Sequence, residues 1–351
     1  MEKNQAICTP QAATGHVAVM AADTMTLPRF PAAHIIKEIG RGIKGARNMS
    51  QSDAHALYAA MLNGQVSDLE LGGILLSMRI KGESADEIAG FFAAVETSFQ
   101  LLQAPKIIGA ALAYAPIVIP SYNGARRTAN LTPLLAMLLA RAGAPVFVHG
   151  VMHDAGRVTT AEILNELGIA ISSTHQQAED CMAQGQVAFM NIETLAPKLA
   201  GQLAFRKLLG VRNSAHTLVK ILQPFNCAAL RLCSYTHPEY SSMLTEYLTH
   251  HADPLRGDVF LMRGTEGETV ASTKKIQKID WIHQGSVTTV AEAEVGTDLV
   301  LPIALDAVGT AVWIQDVMAG REPVPENIAA QVQYCLNAAA HVYARTPLPR
   351  P

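Results

Sequence analysis

Charge is sparse in this chain. Asp, Glu, Lys and Arg supply 16% of 351 residues, aromatics 5%, and the formal net charge is -3. With a pI near 6.5, a protein basic throughout is excluded, although a basic face backed by an acidic one is not. Cysteine is scarce and odd in number: Cys8, Cys181, Cys227, Cys233 and Cys335, with no CxxC pair. That excludes a disulfide scaffold and a cysteine-built zinc module, and it reads as reduced thiols in a cytoplasmic protein. No apolar run reaches the roughly 18 residues of a membrane span, so no membrane partner is expected. The segment 1–29 lacks the basic start and continuous apolar core of a signal peptide; its Thr, Gln, Gly and Pro content predicts a flexible tail. There is no GxSxG, Walker loop, dinucleotide fingerprint or internal repeat.

Acids are missing altogether from two long stretches. Thr97 to His153 carries Lys106, Arg126, Arg127 and Arg141; Thr194 to Pro238 carries Lys198, Arg206, Lys207, Arg212, Lys220 and Arg231. A local positive field attracts phosphates. Buried apolar segments are depleted in charge as well, so core formation is the competing explanation.

What is present divides near residue 104. From His34 to about Gln100 the pattern is helical: Ile35, Ile36, Ile39 and Ile43 share a face, and Ser67/Glu70 and Ser84/Glu87 have capping-box spacing. After Pro105, short apolar runs at Ile117–Ile119, Val146–His149, Val187–Met190, Ala229–Cys233 and Val259–Met262 alternate with helical segments. Those segments begin with one opened by Thr132-Pro133 and include 197–209 and 216–222. A hairpin is predicted around Gln284-Gly285, and two helices close the chain. The fold class is α/β: a small all-helical domain over 30–104, and a large α/β domain over 105–351 with a mostly parallel sheet.

Ligands of such sheets sit at the carboxyl ends of the strands. Four segments fall there: 120–132, 149–154, 206–216 and 262–268. Their order and spacing resemble the anthranilate phosphoribosyltransferase and nucleoside phosphorylase superfamily, from Ile35 to Ala344. The resemblance implies a homodimer formed through the helical domain, which helices near 195–222 join in space. It also implies a phosphoribosyl pyrophosphate site at Ser121, Asn123, Gly124, Asn130, Thr132, His149 and Gly150. That site is vestigial. The family's GTGGD loop has become Pro120-Ser121-Tyr122-Asn123-Gly124, and KHGNR has become Val148-His149-Gly150-Val151-Met152. Consecutive glycines let amides close on an anion, whereas Tyr122 and Asn123 put side chains there, and the loop's acid is gone. Glu266 and Glu268 lie where the family holds magnesium, but Gly267 separates them. No metal, cofactor or catalytic residue is assigned. The family's R-x-x-LG-x-RT run survives as Arg206, Leu209-Gly210 and Arg212.

Longer strings, among them 36–42, 117–126, 210–218 and 264–268, resemble the YbiB-like branch of the superfamily. That branch keeps the fold and dimer and binds DNA and RNA, favouring single strands with little sequence preference. The resemblance therefore implies a sequence-independent nucleic-acid binder, the alternative being a magnesium-dependent phosphoribosyltransferase. The expected contacts are Arg126 and Arg127 with Tyr122 as a base-stacking ring, Arg206, Lys207 and Arg212 around a helix end, and Lys198. Arg41, Lys44 and Arg47 recur every three residues; they share a helix face if helix continues past Gly42, and form a basic loop otherwise. His149 and His153 fall on a strand running into a loop, so their spacing does not make a metal pair.

Overall fold

The computed structural model describes residues 28–42, 44–103, 105, 113–294, 301 and 304–345. Lys106 and most of the expected tail, 1–27, lie outside the described residues.

Four helices open the fold: α1 (Ala33–Ile39), α2 (Gln51–Leu62), α3 (Asp68–Lys81) and α4 (Ala85–Glu96). Both serine capping boxes form. Ser67 and Ser84 accept from the amides of Glu70 and Glu87, whose carboxylates reach back to the cap amides. Glu87 is buried and also bonds Lys81 at 2.6 Å and the Met49 amide at 2.9 Å, so one carboxylate ties the α3–α4 turn to the start of α2. Helix α1 stops at Ile39, one residue before Gly40. Arg41, Lys44 and Arg47 therefore share no helix face; they follow the helix in a loop, with Arg41 and Arg47 both drawn to Glu38.

The second region is an eight-stranded sheet in the order β3-β4-β2-β1-β5-β6-β7-β8. Its strands are β1 (Ile117–Ser121), β2 (Val146–Gly150), β3 (Ile171–Ser172), β4 (Ala188–Asn191), β5 (Ala229–Tyr235), β6 (Gly257–Arg263), β7 (Ile279–His283) and β8 (Ser286–Ala291). Strands β1 to β6 are parallel; β7 and β8 form the antiparallel hairpin about Gln284-Gly285. The helices are α5 (Thr132–Arg141), α6 (Thr160–Glu166), α7 (His175–Ala183), α8 (Ile192–Leu195), α9 (Pro197–Ala204), α10 (Arg206–Leu209), α11 (Ala215–Leu218), α12 (Pro238–His250), α13 (Ala307–Met318) and α14 (Glu326–Arg345).

Side-chain alternation along the strands sorts the core into two halves. Val118, Phe147, Ala229 and Cys233 join the helical domain in one cluster; Ile117, Ile119, Val146, Val148, Leu230 and Leu232 pack with α5, α6, α13 and α14 in the other. Helix α9 packs on α2 and α11 on α4, which fastens the sheet region to the helical domain.

Two local expectations change. The helix expected over 197–209 breaks at Phe205 into α9 and α10, and α10 ends on Gly210 in the left-handed conformation at φ 72°. Thr132 is not a cap: it is the first residue of α5, behind Leu131, and its buried Oγ1 has no partner among the described residues.

Candidate nucleic-acid interface

The chain reverses direction across the sheet at β1, which has β2 on one side and β5 on the other. That switch point opens a crevice at the carboxyl ends of the strands, and the loops after β1, β2 and β6 meet there.

The loop after β1 is closed by two glutamates from the loop after β6. Glu268 is 1% exposed. Its Oε1 accepts from the amides of Asn123 at 2.8 Å and Gly124 at 2.7 Å. Glu266 accepts from the amides of Arg127 at 2.7 Å, Thr128 at 3.0 Å and Arg126 at 3.3 Å, and from the Thr128 hydroxyl at 3.2 Å. Burial alone would raise the Glu266 pKa, but these amide hydrogen bonds outweigh it and hold the carboxyl below its ordinary range. The expectation that the loop had lost its acid is true only of neighbouring sequence; carboxylates some 140 positions away supply it. Glu266 and Glu268 thus accept backbone amides, and no group of three or more His, Cys, Asp and Glu that could hold a metal ion occurs among the described residues.

Several of the residues expected at the sugar-diphosphate site are engaged within the protein. Ser121 Oγ donates to Thr160 Oγ1 at 2.8 Å, and Asn130 Nδ2 donates to the same oxygen at 3.1 Å. Asn130 Oδ1 accepts from the Thr132 amide at 3.2 Å. Asn123 donates to the Gly267 carbonyl and accepts from Arg212. Gly150 lies so close to β1 that a Cβ there would fall 2.0 Å from the Ser121 carbonyl oxygen, and Gly124, at φ +61°, abuts the Val158 carbonyl.

Tyr122 does not present its ring as the stacking platform the sequence suggested. It is half-buried, its hydroxyl lies 2.6 Å from His149 Nδ1, and the two rings meet edge-on at 5.5 Å. Burial pushes the His149 imidazole down to about 3 and the Tyr122 phenol well above its usual value. The two groups share one hydrogen bond through Nδ1, and His149 Nε2 is buried without a partner among the described residues.

The cations sort into groups. Arg212 is the hub of one: burial chiefly, then the charges of Arg206, Arg157 and Arg79, depress its pKa, with Asp154 opposing. Arg206 pairs with Asp154 at 3.6 Å. Arg157 pairs with Glu266 at 3.8 Å and donates to the carbonyls of Gly124 and Glu266. The same field reaches His216, brought down to about 4 by burial first and then by Arg212 and its neighbours. Lys207 is exposed beside Arg206, and Arg126 and Arg127 are exposed on the β1 loop. The sequence did not single out Arg79 and Arg157. Arg79 is a basic residue in the last turn of α3, and Arg157 lies just beyond Asp154, where the acid-free stretch has ended. Arg79, Arg212 and Lys220 also wall a cavity of about 90 Å³ with Tyr235 and Tyr240.

Other cations are used elsewhere. Lys198 donates to Asn63 of the helical domain at 2.7 Å. Lys220 is largely buried on Ser234. Arg231 is 3% exposed and lies on the sheet face toward the helical domain, out of reach of any polyanion. No helix among the described residues is long and apolar enough to cross a membrane.

Comparison with known proteins places this architecture. Residues 33–98 match the helical bundle domain of the glycosyl transferase family, and residues 123–311 match its α/β domain. The protein YbiB of Escherichia coli (strain K12) is 45% identical over 307 residues, covering 87% of this chain and 93% of that one. Anthranilate phosphoribosyltransferase 2 of Ralstonia nicotianae is 26% identical over 250 residues, covering 71% and 69% respectively. In structure, anthranilate phosphoribosyltransferase from Thermus thermophilus superimposes with a TM-score of 0.65 at 20% identity, covering 88% of this chain and 90% of that one.

Proposed function

The chain belongs to the glycosyl transferase family with a helical bundle and an α/β domain, and on that footing we propose that it uses the fold to hold nucleic acid, as a cytoplasmic homodimer, rather than to transfer a phosphoribosyl group. The observation that carries this reading is the gathering of Arg79, Arg157 and Arg206 about Arg212, beside a loop whose amides Glu266 and Glu268 already fill. A sugar diphosphate would have to displace both carboxylates. A polymer phosphate needs only the guanidinium groups, Lys207, and Arg126 and Arg127 on the loop's outer side. Asp154 and Glu266 offset part of the charge, so the surface works by many weak contacts and not by one deep site. Single-stranded DNA, RNA and duplex DNA all present the backbone it would grip. Stacking on unpaired bases passes from Tyr122 to Tyr235 and Tyr240, which border the same cavity as Arg79 and Arg212.

The dimer rests on α3. Leu69 is 89% exposed, Leu76 43% and Ile80 61%; they fall on one face with Gly72 and Gly73, where added Cβ atoms would meet open space. A second copy covering that face would set two cationic surfaces in one particle.

The test is a binding titration against single-stranded DNA, duplex DNA and RNA at several salt concentrations. Log K should fall linearly with log salt, and the variant R206A/K207A/R212A should lose about 2 from the slope on single strands, at roughly 0.7 per phosphate contact. Binding that ignores salt, or a variant with an unchanged slope, overturns the proposal. The relatives named anthranilate phosphoribosyltransferase favour the second reading. If phosphoribosyl pyrophosphate with magnesium raised the melting temperature saturably, the transferase reading would replace this one.

A further inference from the structure

Arg231 is a buried cation that the proposed interface does not use. It is the third residue of β5, in register with Val118 near the start of β1. The interface lies at the other end of these strands, about 10 Å along the sheet at some 3.3 Å per residue. Its side chain points toward the helical domain, into a cleft of about 120 Å³ between α4, α12 and the turn at 253–256. Among the described residues one hydrogen bond is made, from Nη1 to the Ile221 carbonyl at 3.1 Å, while Nε is buried with no partner. Tyr247 lines the same cleft. It is 3% exposed, its ring is fixed edge-on against Phe92 at 6.1 Å, and its hydroxyl has no partner among the described residues.

The acids of the cleft are otherwise engaged. Glu96 pairs with Arg256 at 3.5 Å, and burial raises its pKa against the opposing charges of Arg256 and Arg231. Asp253 accepts from the Leu255 amide at 2.9 Å. Arg256 also donates to the carbonyls of Phe225 and Gln223. Arg231 Nε remains without an acceptor, and the Tyr247 hydroxyl makes no hydrogen bond among the described residues. A buried charged group with an unfilled donor is costly for a fold to hold.

We infer that this cleft is a binding site for a small oxyanion of the phosphate class, received by Arg231 and Tyr247 and separate from the nucleic-acid surface. Water takes up about 30 Å³ per molecule, so the cleft has room for about four waters or for one tetrahedral anion. A phosphate oxygen is the acceptor both donors lack, and a bidentate guanidinium contact suits it. The site does not depend on the polyanion reading, because none of the residues assigned to that surface lines the cleft.

The probe is inorganic phosphate, read as the thermal midpoint against chloride at equal ionic strength. The expected result is a saturable rise for the full chain, kept in R206A/R212A, lost in R231M, and shifted to about tenfold higher phosphate in Y247F. Should R231M fail to fold, Y247F decides. Absence of a saturable rise, its loss in R206A/R212A, or a Y247F curve that overlays the parent would each overturn the assignment.

Discussion

Replacing Glu268 with alanine tests the closure of the β1 loop directly. The carboxylate is buried and accepts two amides, from Asn123 and Gly124, at 2.8 and 2.7 Å. A hydrogen bond to a charged group contributes about 1.5–3 kcal/mol, and a buried amide left without a partner costs about 1–3 kcal/mol. The two terms overlap, so E268A should lose about 3–5 kcal/mol. A unit of 1 kcal/mol moves the midpoint of a domain of this size by about 2–4 °C, which puts the expected fall near 10 °C. E268Q keeps the shape and one neutral acceptor, and should lose about 1–2 kcal/mol. Reversible urea unfolding gives the free energies and differential scanning calorimetry the midpoints. An E268A protein within 1 kcal/mol of the parent would mean that the amides find other acceptors, and the loop would no longer count as filled from within.

The pair Tyr122–His149 makes acid destabilising. The His149 pKa is depressed to about 3 in the fold from an ordinary 6.5, so the unfolded chain binds the extra proton first. Stability is complete above about pH 6.5 and declines as pH falls toward 3, by a few kcal/mol at most at 1.36 kcal/mol per unit. His216, brought down to about 4, adds in the same direction. H149F should flatten the urea-midpoint profile between pH 6 and 4; an unaltered slope refutes the assignment. On the helical domain, if the proposed α3 dimer forms, I80E should convert it to monomer in sedimentation velocity, because a charge placed on the covered apolar face would be left unpaired. A variant that stays dimeric removes α3 from the interface.

Much of the fold was legible because strand and helix leave different periods. The runs at Ile117–Ile119, Ala229–Cys233 and Val259–Met262 became parallel strands, and Ser67 and Ser84 became caps, since each signal lies within a few residues of its partner. Strand β3 was missed because its two residues carry no period. The site was less legible. Loop residues Asn123 and Gly124 were visible as candidates, but their acceptor comes from Glu268, and no local pattern announces a contact across that separation. Tyr122 looked like a platform because its neighbours are polar, while the fold turns its hydroxyl onto His149. Arg231 looked like Arg206 in sequence; only the alternation of β5 decides that Arg231 faces inward, while Arg206 opens α10 and is exposed.

The loop filled from within bears on selectivity among phosphates. A chain that carries its own counter-anion leaves no pocket in which a lone nucleotide can take several amides at once. If the proposed nucleic-acid reading holds, monomers in solution compete poorly, and occupancy is decided by how many linked charges a molecule can lay across the arginines together. On the proposed reading, the arginine surface itself would stay free in a medium crowded with soluble phosphates and still respond to a strand.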